Sequence, residues 1–73
     1  MAGNQKHHKI LGATVRSYRQ KAHWSQEKLA EKADLHPNYV GEIERGEKAV
    51  SIDTLLKIAR ALGVRARDLV NEI

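Results

Sequence analysis

The stretch SQEKLAEKADLHPNYVGEIERG, residues 25–46, decides the fold predicted for this chain. In its first half the apolar or small residues Leu29 and Ala33 lie four positions apart. In its second half Val40 and Ile43 lie three apart. Each half therefore forms a short helix with one narrow apolar stripe. Neither helix can bury its stripe alone, so the two are expected to pack together around a tight turn.

The turn between the two helices has its own residue pattern. Asp34 tolerates the left-handed backbone that such a turn often needs. Pro37 suits the first position of the second helix and favours an extended, cap-like His36 before it. Gly46 suits a left-handed helix end. The pattern predicts a helix over about residues 37–45, and the polar tip and outer face of this helix comprise His36, Pro37, Asn38, Gly41, Glu42 and Arg45.

Two flanking segments extend this pattern, LGATVRSYRQKA before it and SIDTLLKIARALGVRARDLV after it. Residues 25–46 resemble the helix-turn-helix of the phage-repressor (Cro and cI) type, the XRE family of transcriptional regulators, and the two flanking segments extend the resemblance. The resemblance runs from about Ile10 to Val70, and SQEKLAEKA, IERG and LLKIARALGV carry it. It implies an all-α, compact five-helix, lambda-repressor-like domain over residues 10–73. In length and single-domain layout the chain also resembles the controller proteins of restriction-modification systems.

The first helix is expected from about Ile10 to Ala22. Its helical spacing marks a core face made of Leu11, Val15, Tyr18 and Ala22. Residues 1–9 show no apolar periodicity and are expected to form a flexible N-terminal arm. The adjacent His7 and His8 in this arm are either a metal site or a solvated tail, and their spacing favours the tail.

The C-terminal third of the chain contains the strongest amphipathic pattern. Ser51 is a favourable cap for a fourth helix, and Gly63 ends it. A short final helix is expected over about residues 66–72. The inner face of the fourth helix is expected to consist of Ile52, Leu55, Leu56, Ile58, Ala59 and Leu62.

Composition limits the kinds of protein this chain can be. Its 73 residues allow one domain with a small core, and the absence of cysteine excludes disulfides. No apolar run is long enough to span a membrane, so we expect a cytoplasmic protein without a membrane partner. The formal net charge of +4 favours a polyanion weakly. Neither a metal, a cofactor nor a small-molecule ligand is expected, and the lack of a clustered nucleophile pattern argues against an enzyme.

The resemblance implies that the helix over residues 37–45 enters the major groove and that its N-terminal residues face the bases. Asn38 is the first choice, because its amide can pair with N6 and N7 of adenine. Glu42 can accept from cytosine N4. His36 either donates to guanine or phosphate, or merely caps the helix. Pro37 offers only apolar contact, for example to a thymine methyl.

Contacts to the DNA backbone are implied at five positions. Gln26 matches the glutamine that opens the second helix of the family and donates to a phosphate. The hydroxyl of Tyr39 is free to reach a phosphate oxygen. Arg45 and Lys48 match residues of the loop after the third helix, where the family makes further phosphate contacts. Arg16 either contacts a phosphate or belongs to a solvated basic face.

Three further positions are singled out. The resemblance implies that Arg19 pairs with Glu44 and so ties the first helix to the third. Gly41 either lets the helix approach DNA closely or allows tight packing against another helix. Trp24 is expected to pack at a helix junction, with base stacking as the alternative.

The last helix and the loop before it commonly form the two-fold contact in repressors of this type. The resemblance therefore implies a homodimer that binds double-stranded DNA at an operator with two-fold symmetry. The alternative is an antitoxin whose DNA binding is autoregulatory and whose main partner is a toxin protein. Leu69 is also expected to lie inside the monomer, and the candidate interface residues are Val64, Leu69, Val70 and Ile73.

Overall fold

The computed structural model describes the backbone of residues 2–73 and the side chains of residues 6–73. This part of the chain folds into five α-helices without a β-strand, which confirms the predicted all-α class. The helices are α1 (Ala2–Lys21), α2 (Gln26–Ala33), α3 (Pro37–Glu44), α4 (Ile52–Leu62) and α5 (Ala66–Val70). None of these helices is both long and apolar enough to cross a membrane.

Helix α1 begins at Ala2, whereas the sequence predicted a start near Ile10. Residues 2–9 are therefore part of α1, so the helix start predicted near Ile10 is wrong; Met1 lies outside the described residues. A missing apolar stripe does not prevent a helix, because adding turns to an existing helix requires no new nucleation. The helix ends at Lys21, so Ala22 lies in the following turn and is exposed rather than in the core.

The core lies between the five helices, where α3 packs on α1 and α2, and α4 packs on α1, α2 and α5. Its largest fully buried side chains are Val15, Leu29, Val40, Ile43, Ile58 and Leu69. Trp24 is partly buried and packs against this core, as expected for an aromatic ring at a helix junction.

Helix α4 buries a narrower face than the sequence pattern predicted. Ile58 and Ala59 are buried, but Ile52 is 71% exposed and Leu56 is 44% exposed. Leu56 and Ile58 point about 160° apart around the helix, so a single flat contact surface cannot cover both. The assignment of Ile52 and Leu56 to the core was therefore wrong.

Local signals set most of the helix ends. The Ser25 hydroxyl accepts a hydrogen bond from the Lys28 amide at 3.0 Å, and Ser51 accepts one from the Thr54 amide at 3.1 Å. Asp34 ends α2 in the left-handed region at φ 57°, and Gly63 ends α4 at φ 72°. These caps satisfy terminal backbone groups that would otherwise lack partners.

Close contact between α1 and α3 depends on Gly12. A Cβ atom at this position would overlap the carbonyl oxygen of Ile43 and lie 2.7 Å from that of Glu44. Only glycine therefore lets the two helices approach this closely. This contact sets the position of the C-terminal end of α3 relative to α1.

Candidate nucleic-acid interface

A buried ion pair holds α3 against α1. Arg19 Nε donates to Glu44 Oε2 at 2.7 Å, and Arg19 Nη2 donates to Glu44 Oε1 at 3.0 Å. The two side chains are only 12% and 2% exposed. The hydrogen bonds that Arg19 donates to the Glu44 carboxylate raise the pKa of Arg19 above its usual value, so the guanidinium stays charged. The structure thus contains the pair that the sequence resemblance implied.

The same carboxylate ties in two further segments. Gln26 Nε2 donates to Glu44 Oε1 at 3.1 Å, and Arg19 Nη1 donates to the Trp24 carbonyl oxygen at 2.7 Å. Glu44 therefore joins α1, α2 and α3, while Arg19 joins α1 to the linker before α2. Charge-assisted bonds of this kind are short and directional, so α3 has a fixed orientation. We call Arg19, Gln26 and Glu44 the clamp.

The N-terminal end of α3 is exposed and polar. His36 is its N-cap, and the Asn38 amide donates to His36 Nδ1 at 3.0 Å. The helix-cap alternative for His36 is therefore realised. In a neutral ring this leaves the hydrogen on Nε2, which remains available as a donor. Asn38 is exposed, and Pro37 and Glu42 are partly exposed. Three of the four base-reading candidates therefore lie at the N-terminal end of α3, and Glu42 lies one turn further along the helix.

Gly41 does not belong to the outer face of α3. It is buried, and a Cβ atom there would lie 3.1 Å from Arg45 Nη1 and 3.3 Å from Gln26 Oε1. The side chains of Gln26 and Arg45 fold over the glycine. The structure therefore favours tight packing as the reason for Gly41, although the partners are side chains rather than another helix backbone.

The five phosphate-contact candidates have different surroundings. Gln26 is half-buried, with one amide hydrogen donated to Glu44. The Tyr39 hydroxyl donates to the Ala49 carbonyl oxygen at 3.5 Å, a long hydrogen bond that leaves it free to turn outward. Arg16 and Lys48 are exposed.

The fifth candidate, Arg45, already has a partner that the sequence did not predict. Its Nε donates to Glu47 Oε2 at 2.8 Å, and its Nη2 donates to Glu47 Oε1 at 3.2 Å. These hydrogen bonds raise the pKa of Arg45 and lower the pKa of Glu47, so both groups are charged. Unlike the clamp, this pair lies in solvent, with the side chains 58% and 53% exposed.

The residues proposed for a dimer contact fall into two groups. Leu69 is completely buried, so its inclusion among the interface residues was wrong and its expected place in the core is correct. Its side chain fills the space between α5 and the rest of the core and has no surface to offer. Val64 is half-buried, whereas Val70 is 38% and Ile73 51% exposed.

Metal binding has no candidate site within the described residues. No group of three or more His, Asp or Glu side chains there is arranged to hold an ion. His7 is exposed and His8 partly exposed on α1.

Comparison with known proteins gives one consistent result. Residues 15–69 match the family described as Helix-turn-helix. The chain is 48% identical over 63 residues to the control protein C.BamHI of Bacillus amyloliquefaciens, covering 85% of this chain and 78% of that protein. It is 44% identical over 61 residues to the control protein C.SmaI of Serratia marcescens, covering 84% and 73%.

A solved structure has the same arrangement of helices. The restriction-modification controller protein C.AhdI from Aeromonas hydrophila superposes with a TM-score of 0.84 at 39% identity, covering 85% of this chain and 94% of that one. The family match over residues 15–69 includes the clamp and the whole of α3. The chain therefore belongs to the Cro/cI-type helix-turn-helix family of DNA-binding transcriptional regulators.

Proposed function

We propose that this chain regulates transcription by binding a specific two-fold operator as a homodimer, in the manner of the control proteins it resembles. One observation carries the proposal: the clamp fixes α3 from behind while leaving its N-terminal end polar and exposed. A recognition helix needs this combination, because base reading requires a protruding end held in a constant orientation.

Base reading is assigned to the exposed end of α3. Asn38 reads adenine through its amide, and Glu42, one turn later, accepts from cytosine while repelling misplaced phosphates. His36 contributes its Nε2 hydrogen to guanine or to a phosphate, which is compatible with its cap role at Nδ1. Pro37 contributes apolar contact alone.

The phosphate contacts that set the position of the protein along the duplex are assigned to residues around α3. The second amide hydrogen of Gln26, the Tyr39 hydroxyl and the Lys48 ammonium group each reach a backbone phosphate. Arg45 does so after leaving Glu47, and Arg16 extends the same basic surface. Contacts of this kind supply affinity and position without distinguishing sequences.

The homodimer is supported by apolar surface that one protomer leaves uncovered. Ile52, Leu56, Val70 and Ile73 are the exposed large apolar residues of the described part of the chain. Ile52 and Leu56 lie about one turn apart on α4, which packs against α5, and neighbouring exposed apolar side chains indicate an association surface. We assign them, with Val64, to the contact with a second copy of the chain.

Selection from a randomised duplex library by the purified protein, at near-physiological salt, tests the proposal. The expected product is a pseudo-palindrome with half-site centres about 34 to 36 Å apart, one helical turn. Asn38→Ala is expected to lose about 1 to 3 kcal/mol of binding free energy on this site and to relax selection at one base position. Asn71→Ala, a similar change at an exposed residue of the C-terminal segment, serves as the control and should select the wild-type site.

Two results would contradict the proposal. Failure to enrich any sequence would end the operator assignment and favour the antitoxin alternative, with a protein as the main partner. Sedimentation that gives a monomer at all concentrations, alone and on the selected duplex, would contradict the homodimer. Leu56→Lys is expected to weaken self-association, whereas the neighbouring surface change Lys57→Ala should leave it intact.

A further inference from the structure

A charged cleft of about 610 Å³ opens beside the loop that follows α3. His8, Lys9, Arg45, Gly46 and Glu47 line it. Two of these residues come from the N-terminal part of α1, which the sequence had assigned to an unstructured arm. The cleft therefore joins α1 to the loop at the C-terminal end of the recognition helix.

The two sides of this cleft come into close contact at Gly46. It has a φ of 75°, and a Cβ atom on it would lie 2.8 Å from Lys9 Cα and 2.5 Å from Lys9 Cγ. The α1 backbone thus passes directly over the glycine. Lys9 has a fixed starting point beside Arg45, and its ammonium group is not carried on a freely moving arm.

The ion pair at the mouth of the cleft is suited to exchange. Glu47 lies two residues after Arg45, and its carboxylate accepts from Nε and Nη2 in the bidentate geometry that a phosphate group also offers. Both side chains are more than half exposed, and ion pairs of this kind contribute little to stability. Replacing the carboxylate by another anion therefore breaks no other side-chain hydrogen bond among the described residues.

We propose that Glu47 stands in for a DNA phosphate in the free protein and that a backbone phosphodiester takes its place on Arg45 when the chain binds DNA, with Lys9 contacting the same phosphate. This inference rests on the proposed function, because it concerns how that DNA complex forms. Glu47 keeps the guanidinium oriented before binding. It also competes with every phosphate, so it lowers affinity for all sequences alike.

Fluorescence anisotropy with two labelled duplexes, the selected operator and a scrambled version, tests the exchange. Glu47→Gln removes the competing charge and keeps a hydrogen-bond acceptor for Arg45. We expect it to tighten binding to both duplexes by the same factor, about 1.5- to 5-fold from the strength of exposed ion pairs. Glu31→Gln is the control, because Glu31 also forms an exposed ion pair, with Lys28 at 3.6 Å. Glu31→Gln should change the affinity for either duplex by less than Glu47→Gln does.

A double-mutant cycle separates exchange at Arg45 from a general gain in positive charge. In an Arg45→Gln background the gain in affinity from Glu47→Gln should disappear, because there is no guanidinium for the Glu47 carboxylate and the phosphate to compete for. A gain that persists in this background, or one that Glu31→Gln reproduces, would overturn the exchange. Lys9→Gln should weaken binding to both duplexes by the same factor. It should also reduce the slope of log affinity against log salt concentration by about 1. An unchanged slope would overturn the shared phosphate site.

The two proposals can fail separately. If the wild-type protein does not distinguish operator from scrambled duplex, the operator assignment is wrong, yet the cycle on the scrambled duplex still decides the exchange. If the wild type prefers its operator and Glu47→Gln has no effect, only the exchange is wrong.

Discussion

Two Arg–Glu ion pairs at the C-terminal end of α3 have almost the same length and different surroundings. Arg19 and Glu44 approach to 2.7 Å at 12% and 2% exposure, while Arg45 and Glu47 approach to 2.8 Å at 58% and 53%. The first pair joins two helices, and the second spans two residues of one loop. Burial, rather than distance, therefore separates a pair that maintains the architecture from one that is free to change partners.

The difference follows from the dielectric surroundings and from the number of bonds each carboxylate accepts. Glu44 accepts from Arg19 and from Gln26, so its removal leaves a buried guanidinium without its counter-charge. Among the described side chains Glu47 accepts from Arg45 alone, and water can replace Arg45 as its partner. Both pairs lie at the C-terminal end of α3, away from its reading end. The fixed pair holds the orientation of the helix, and the exchangeable pair is free to change partners.

The largest expected effect comes from breaking the buried pair. Glu44→Ala should lower the free energy of unfolding by about 3 to 5 kcal/mol, because it leaves the buried Arg19 guanidinium without its counter-charge. Urea unfolding followed by the fluorescence of Trp24, whose carbonyl accepts from Arg19, measures this change. Glu31→Ala, at a carboxylate 73% exposed, should stay within about 0.5 kcal/mol of wild type. Equal losses in the two variants would remove the distinction between buried and exposed pairs.

A smaller effect is expected from forcing apart the helices that the clamp joins. Gly12→Ala should lower the free energy of unfolding by about 1 to 3 kcal/mol, because its methyl group would meet the carbonyl oxygens of Ile43 and Glu44. The same urea experiment applies, with Ala13→Ser on the exposed side of α1 as the control. Wild-type stability for Gly12→Ala would mean that α1 and α3 do not need this close contact.

The smallest effect on stability is expected at the exposed pair, where the same substitution can be compared directly. Arg45→Gln should change the urea midpoint little, because it breaks a solvated ion pair and keeps a side chain beside Gly41. It should weaken binding to all duplexes, because the proposed phosphate contact is lost. Arg19→Gln should lower the midpoint, because Glu44 stays buried without its cation. The comparison would fail if Arg45→Gln destabilised the chain as much as Arg19→Gln did.

The sequence predicted the helix-turn-helix closely because its signals are local. Ser25, Asp34 and Pro37 act within one turn of backbone, and each has the role that its residue type favours. The start of α1 was missed because polar residues without an apolar stripe extend a helix as easily as they form a tail. The only signal for it was their position directly before a strongly helical segment.

Predictions about which side chains are covered were less successful. Ile52 and Leu56 fit the apolar pattern of α4 and are nevertheless exposed, since a pattern records hydrophobicity and not the width of the surface that covers it. Gly41 was placed outward by helical position alone, yet two neighbouring side chains fold over it. The Arg45–Glu47 pair was also missed, because nothing in the sequence favours Glu47 over solvent as the partner.

By itself the sequence determined the family, the number and order of the helices, the ends of α2, α3 and α4 and the polar end of α3, because these depend on residue type and on spacing within a few turns. Only the tertiary structure decided that Gly12 brings α1 onto α3, that Glu44 accepts from Gln26 as well as from Arg19, and that Lys9 lies against Gly46 beside Arg45. These contacts join residues far apart in the chain. Their existence depends on the packing angle and separation of whole helices, which no local pattern encodes.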